Sequence, residues 1–250
     1  MQNTEEIKLE LEHFIDEEKR EVLPRFFKTG KGQYGEGDKF LGITVPHTRS
    51  VAMCHLDLNF DEIAQLLRSP WHELRMCALL IMVEQVKCSY KRLWLKEHSV
   101  EDARTLRQSN YDFYLHHTSK INNWDLVDLS APTIVGEFLV DHDRGILYQL
   151  ADSALLWDQR IAVVSTIAFI KRNDFADIYA LSEKLLHHPH DLMHKAIGWM
   201  LREAGKRDKA QLMDFLNRYS GDMPRTMLRY ALEKFPENER QYYLQMSKHR

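Results

Sequence analysis

The feature that most constrains this chain is a recurrence. Trp124-Asp125 opens one apolar, helix-patterned segment, and Trp157-Asp158 opens another 33 residues later. His190-Asp191 opens a third after a further 33 residues, and Pro224-Arg225 a fourth after 34. Trp71-His72 opens an earlier copy, separated from the next by a longer insertion. Apolar residues recur at intervals of three and four, as in Ile63, Leu66 and Leu67 or Ile178, Leu181 and Leu185. That is the period of a helix face, not of a strand. An aspartate near a helix start accepts hydrogen bonds from free amides and favours the positive end of the dipole. Pro224 suits a first turn through its fixed φ and missing donor. Shorter helices are expected between these openers, over 175–187 and 210–219. A helix pair of this length cannot bury its apolar face alone, so neighbouring pairs stack. The expected fold is all-α: a right-handed α-solenoid superhelix of HEAT-like helix pairs, a single domain over 1–250 with a concave binding face.

Charge is uneven along this repeat. The chain has 250 residues, a net charge of −3, 44% apolar and 28% charged residues, the composition of an ordinary folded protein. Residues 1–70 carry 9 basic and 13 acidic side chains, and residues 71–154 carry 9 and 12. Residues 155–230 reverse the sign, with 12 basic against 9 acidic. A solenoid can collect such cations on one face while the other stays acidic, so the net charge does not exclude a nucleic-acid partner. Three cysteines, Cys54, Cys77 and Cys88, form no CxxC pair and fit a reducing compartment better than a disulfide framework. The polar, acidic start reads against a signal peptide, and the longest apolar stretches, such as 161–170, are too short to span a bilayer. A cytoplasmic protein without a membrane partner is expected.

One segment breaks the helical text. Residues 29–38 carry four glycines, Gly30, Gly32, Gly35 and Gly37, which predicts positive φ and a flexible loop. The run Gly30-Lys31-Gly32-Gln33-Tyr34-Gly35 spells GxGxxG, but the dinucleotide fingerprint needs a strand before it. Residues 21–28 read as helix instead. His187, His188, His190 and His194 invite a metal reading, and His190 and His194 stand four apart. With no HExxH and no third ligand nearby, helix-cap and surface roles are expected, with no metal and no cofactor.

Several segments resemble one family. Asn122-Asn123-Trp124-Asp125-Leu126-Val127-Asp128 is similar to the tryptophan-acid segment of the AlkD-type DNA alkylation repair glycosylases. Leu156-Trp157-Asp158-Gln159-Arg160-Ile161-Ala162 resembles the family's arginine-bearing helix start, and Lys195 to Glu203, with Trp199 and Arg202, its second tryptophan segment. Phe40-Leu41-Gly42-Ile43 with Val45-Pro46 matches the entry to the first repeats, and Pro224 to Ala231 the close. The resemblance runs from about residue 20 to 235. It implies hydrolysis of the N-glycosidic bond of cationic alkylated purines, 3-methyladenine and 7-methylguanine, in bent duplex DNA. It also implies a cleft that works from the backbone side without flipping the base, unlike most glycosylases. The partner implied is duplex DNA, bound by a monomer in the bacterial cytosol or nucleoid.

The residues suit that chemistry. Alkylation makes the purine a cationic leaving group, so the demand falls on the oxocarbenium character of the sugar, which a carboxylate near C1′ stabilises. Asp128 matches the family's catalytic acid. Trp124 and Trp199 match its two cleft tryptophans, whose π faces attract positive charge, whereas Trp71 and Trp157 read as core packing. Asp125 is expected to cap its helix. Arg160 matches the phosphate-binding arginine, with Lys195, Arg202, Phe26 and Phe27 as further DNA contacts. Trp124, Asp128, Arg160 and Trp199 are expected to line one cleft. Where the family has a tyrosine in its N-terminal helix, this chain has Phe26-Phe27, which can pack on DNA but offers no hydroxyl. That departure favours a second reading, a non-catalytic DNA-binding relative; a HEAT-type protein-interaction scaffold is a third.

Overall fold

The structure, a computed structural model, describes residues 2–246, with side chains from residue 4 onward. It is all-α. Among the described residues no strand forms, and the Lys39–Trp71 bridge is isolated. The chain divides into two compact units, Met1–Ile134 and Val135–Arg250. The first holds α1 (Gln2–Glu12), α2 (Glu17–Phe26), α3 (Val45–Ala52), α4 (Phe60–Leu67), α5 (His72–Cys88), α6 (Val100–His116) and α7 (Trp124–Ala131). The second holds α8 (Gly145–Ala151), α9 (Leu156–Ser165), α10 (Ile167–Ile170), α11 (Ala176–Lys184), α12 (Asp191–Gly205), α13 (Lys209–Tyr219), α14 (Arg225–Ala231) and α15 (Glu237–Met246).

The recurrent dipeptides do open helices. Trp124 is the first residue of α7, while α5, α12 and α14 start one residue after Trp71, His190 and Pro224, and α9 starts just before Trp157. Caps fix other starts. Asn59 and Glu62 form a reciprocal capping box on α4, as Ser99 and Asp102 do on α6, and such a cap contributes about 1 kcal/mol. The His190 side chain accepts from Leu192 N at 3.1 Å and so caps α12, while His194 Nε2 reaches the His188 carbonyl. The histidine cluster thus builds a helix start, as the sequence suggested.

Each unit is organised on one central helix. In the first it is α5, whose residues from His72 to Val86 are all buried and which packs against α3, α4, α6 and α7. A helix apolar on every side belongs in a core. In the second, α12 packs against α9, α11, α13 and α14. Gly198 lets α14 come close: a Cβ there would lie 2.5 Å from both the Met227 carbonyl and the Tyr230 Cβ.

The glycine-rich segment follows α2, not a strand, so the GxGxxG match lacks the context that would give it meaning. It is a hydrogen-bonded turn. Gly30 N donates to Gln33 Oε1 at 3.0 Å, Gly32 N to Glu36 Oε2 at 2.7 Å, and Gly35 N to the Lys28 carbonyl at 3.1 Å. Gly32 and Gly37 take φ of 74° and 86°, and a Cβ on Gly35 would sit 2.4 Å from the Phe27 carbonyl. The turn delivers Asp38 to the interior. Lys39 N then donates to the Pro70 carbonyl at 3.1 Å, and His72 N to the Lys39 carbonyl at 2.8 Å, tying the segment to the start of α5.

Candidate functional site

Trp124 and Asp128 stand four apart on α7, which puts them on one helix face. Both are half-buried, whereas Leu126 and Val127 between them are fully buried. The face carrying the tryptophan and the acid is therefore the outward one. Asn123 precedes it as N-cap and accepts from Trp124 N at 2.9 Å.

An aromatic column braces Trp124 from below. Its indole stacks on Phe27, with centroids 5.4 Å apart and planes 21° apart, and meets Phe26 edge-on at 6.0 Å. Phe27 stacks in turn on Phe40 at 4.9 Å, and Phe40 on the His72 imidazole at 4.6 Å. Phe27 is buried and Phe26 is 58% exposed, so of the two phenylalanines only Phe26 presents its ring to solvent. Phe26, Phe27, Phe40, Thr48, Met76 and His72 also help to line a cavity of about 180 Å³.

The column ends on buried charge. His72 Nε2 lies 2.8 Å from Asp125 Oδ2 and His72 Nδ1 3.4 Å from Asp38 Oδ2. Arg75 pairs with Asp38 at 2.8 Å, and Asn122 Nδ2 donates to Asp38 Oδ1 at 3.0 Å. Burial opposes a charge on His72. The Asp125 carboxylate and the hydrogen bonds to Asp125 and Asp38 outweigh it, against some repulsion from Arg75, and the pKa is pushed up to about 9. Burial likewise opposes the Asp38 charge, but His72, Arg75 and Asn122 hold its carboxyl below the usual aspartate value. At neutral pH the site is thus an imidazolium between two carboxylates. Beside it, Glu73 accepts from Leu41 N, Gly42 N and Ile43 N at 2.9–3.2 Å and holds the entry loop.

Asp125 therefore does more than the capping expected of it. It accepts from Leu126 N at 2.9 Å, but its other oxygen is the main partner of His72. Trp71 and Trp157, read from the sequence as core, are half-buried at the starts of α5 and α9. A first-turn position leaves one side of the ring outside the helix pair, and Arg20 and Lys39 lie 5.7 and 6.0 Å from the Trp71 ring.

The second unit carries the other expected contacts. Trp199 is half-buried on α12, among buried Gly198, Met200 and Leu201. Arg160 is buried, and one Nη donates to the Leu192 carbonyl at 2.6 Å, joining α9 to the start of α12. Lys195 pairs with Asp191 at 2.8 Å. Arg202 pairs with Glu203 and Glu233.

Sequence reasoning gives His72, Asp38, Arg75 and the Asn122-Asn123 pair no role at the site. The available signal was Trp71-His72-Glu73-Leu74-Arg75, a cluster of ionisable residues at the head of a helix otherwise apolar all round. Charges placed there have no route to water and must pair with one another.

Comparison with known proteins gives a consistent picture. Residues 7–235 match the model of the DNA alkylation repair enzyme family. The predicted DNA alkylation repair enzyme from Enterococcus faecalis has a similar fold, with a TM-score of 0.62 at 15% identity, over 88% of this chain and 96% of that one. No curated protein matches the sequence.

Proposed function

The chain belongs to the DNA alkylation repair enzyme family, and we propose that it is a DNA glycosylase acting on cationic alkylated purines in duplex DNA. The substrates would be lesions such as 3-methyladenine and 7-methylguanine, hydrolysed from the backbone side without flipping of the base. The observation that carries this reading is the outward face of α7. There a carboxylate and an indole stand one turn apart, and the indole is braced by Phe27 from behind.

In the proposed reaction the bond from C1′ to the purine nitrogen breaks, and its electron pair neutralises the cationic base as it leaves. Positive charge then develops on the sugar. Asp128 stabilises that charge and orients the water that adds to C1′, whose proton passes to solvent. Trp124 lays a π face against the sugar, where cation–π attraction is strongest in the transition state. Trp199 is proposed as an aromatic contact with the duplex and Phe26 as an apolar one. Arg160, Lys195 and Arg202 are proposed to meet phosphates. Their partners include the Leu192 carbonyl for Arg160 and carboxylates for the other two, and phosphate oxygens can replace such acceptors.

The test is single-turnover release of 7-methylguanine from methylated duplex with enzyme in excess. Asp128→Asn keeps the size and removes the charge, and loss of one such electrostatic partner costs roughly 10²–10³ in rate. Duplex binding should be spared, because the charge being stabilised is absent from the ground state. Equal rates for wild type and Asp128→Asn would remove Asp128 from the mechanism. Tight duplex binding without base release by the wild type would establish a non-catalytic DNA-binding protein instead.

A further inference from the structure

Between α5 and α6 the chain makes an excursion that the repeat does not need. Residues 85–96, the last turn of α5 and the connection after it, contain Lys87, Lys91, Arg92 and Lys96 and no acid, within a first unit whose sequence is otherwise acid-rich. Lys87 pairs with Glu84. Lys91, Arg92 and Lys96 have no carboxylate partner among the described residues, and all three are exposed. The same excursion exposes apolar surface. Of the thirteen large hydrophobic residues exposed among the described residues, Tyr90, Leu93 and Leu95 lie on this excursion and Val100 opens α6 directly after it, and Leu93 is 72% exposed.

This display is built into the turn. Leu95 N donates to the Lys91 carbonyl at 3.2 Å, Lys96 N to the Leu93 carbonyl at 3.2 Å, and His98 N to the Trp94 carbonyl at 3.2 Å. The Trp94 and His98 rings stack at 3.9 Å and 8°, closing the turn. At its base Arg107 lies 4.4 Å from the Tyr90 ring and donates to the Ser89 side chain at 3.1 Å. A local fold that holds a leucine out to water among cations without carboxylate partners is suited to a partner rich in negative charge with an apolar crevice. Duplex DNA is such a partner: lysine and arginine neutralise phosphates, and an aliphatic wedge can enter the minor groove between base steps. Glu97, at the far end of the turn, is the one acid within it.

We propose that the Tyr90–His98 turn is a second, sequence-independent DNA contact, in which Lys91, Arg92 and Lys96 hold phosphates and Leu93 enters the minor groove. It rests on the reading of the protein as a DNA enzyme, but it lies apart from Trp124 and Asp128 in the sequence and needs neither. Its role is to grip undamaged duplex during the search for a lesion.

The experiment is a titration of unmodified duplex with the full chain at salt from 50 to 200 mM, for the wild type, Lys91→Ala/Arg92→Ala/Lys96→Ala and Leu93→Ala. Three lost phosphate contacts should flatten the slope of log Kobs against log salt by about 2.7, so that the wild type loses about 40-fold more affinity than the triple variant over that range. Leu93→Ala should weaken binding several-fold with the slope unchanged. All substitutions lie on exposed side chains, and circular dichroism checks that the helices persist. An unchanged slope in the triple variant, with salt-sensitive binding by the wild type, overturns the proposal. So does Leu93-dependent binding to phosphatidylserine vesicles without any effect on duplex binding, which would mark the turn as a membrane contact. Failure of the glycosylase reading looks different: the wild type would release no base while the slopes still separated.

Discussion

The buried His72 imidazolium gives the first unit a pH dependence that can be worked out in advance. A histidine whose folded pKa is about 9, against 6.5 for the free side chain, binds its proton more tightly in the native than in the unfolded state. Its contribution is complete below pH 6.5 and disappears as pH rises through 9, and a difference of that size corresponds to about 3 kcal/mol. Between pH 7 and pH 9 the linkage relation gives a loss of about 2 kcal/mol from this one group. The groups facing it fix the sign: Asp125 and Asp38 hold the charge, while Arg75 opposes it. The window must stop at pH 9. Burial pushes the Cys77 thiol, also on α5, up to about 12, so its unfolded-state ionisation removes further stability above that pH. The measurement is urea unfolding at half-unit steps from pH 7 to 9, extrapolated to water, for wild type and His72→Gln. Glutamine can still donate to Asp125 but cannot titrate. His72→Gln should therefore be less stable at pH 7, and its stability should change far less between pH 7 and 9. Parallel pH profiles for the two proteins would show that His72 is neutral in the fold, and the imidazolium between two carboxylates would have to be given up.

Two substitutions test the packing that positions the site. Glu73→Gln replaces a carboxylate that accepts from three successive amides by a group that turns an NH₂ toward one of them. It should cost about 3 kcal/mol, read as a shift in the urea midpoint without change of slope, since hydrogen bonds to a buried charge are worth about 1.5–3 kcal/mol each. Gly198→Ala places a methyl 2.5 Å from the Met227 carbonyl and so must push α14 away from α12. A cost of about 1–3 kcal/mol is expected, seen as a lower melting temperature, and an unchanged melting temperature would show that the helices sit further apart than described.

The fold was legible because its information is periodic. Each opener of the repeat begins a helix, though α7 and α14 are shorter than the intervening α13, and the spacing of 33–34 residues survives even though Trp, His and Pro take turns at the same position. What marks the start is therefore capping and first-turn chemistry, with Asn123, His190 and Pro224 filling one role by different means. Sequence periodicity does not say which side of a first-turn ring faces the neighbouring pair. That is why Trp71 and Trp157 were read as core when each is half-buried.

The site was legible only at its outer surface. Trp124 and Asp128 are singled out by the resemblance of residues 122–128 to a family segment, and α7 places the two on one helix face. What braces them was not visible. Phe27, Phe40 and His72 come from three separate segments, and Asp38 reaches His72 across 34 residues of sequence. Such pairings are dictated by desolvation: once α5 is buried all round, a charge at its head must be met by an opposite one wherever the chain can supply it. Asp125 shows how the two levels interlock. Its position three residues before Asp128 invites the reading of a paired acid, yet it faces inward to His72 while Trp124 and Asp128 look out. The inward acid fixes the start of α7, and through it the direction in which the outward indole and carboxylate point. A substitution at Asp125 should for that reason be read through stability before any effect on base release is assigned to chemistry.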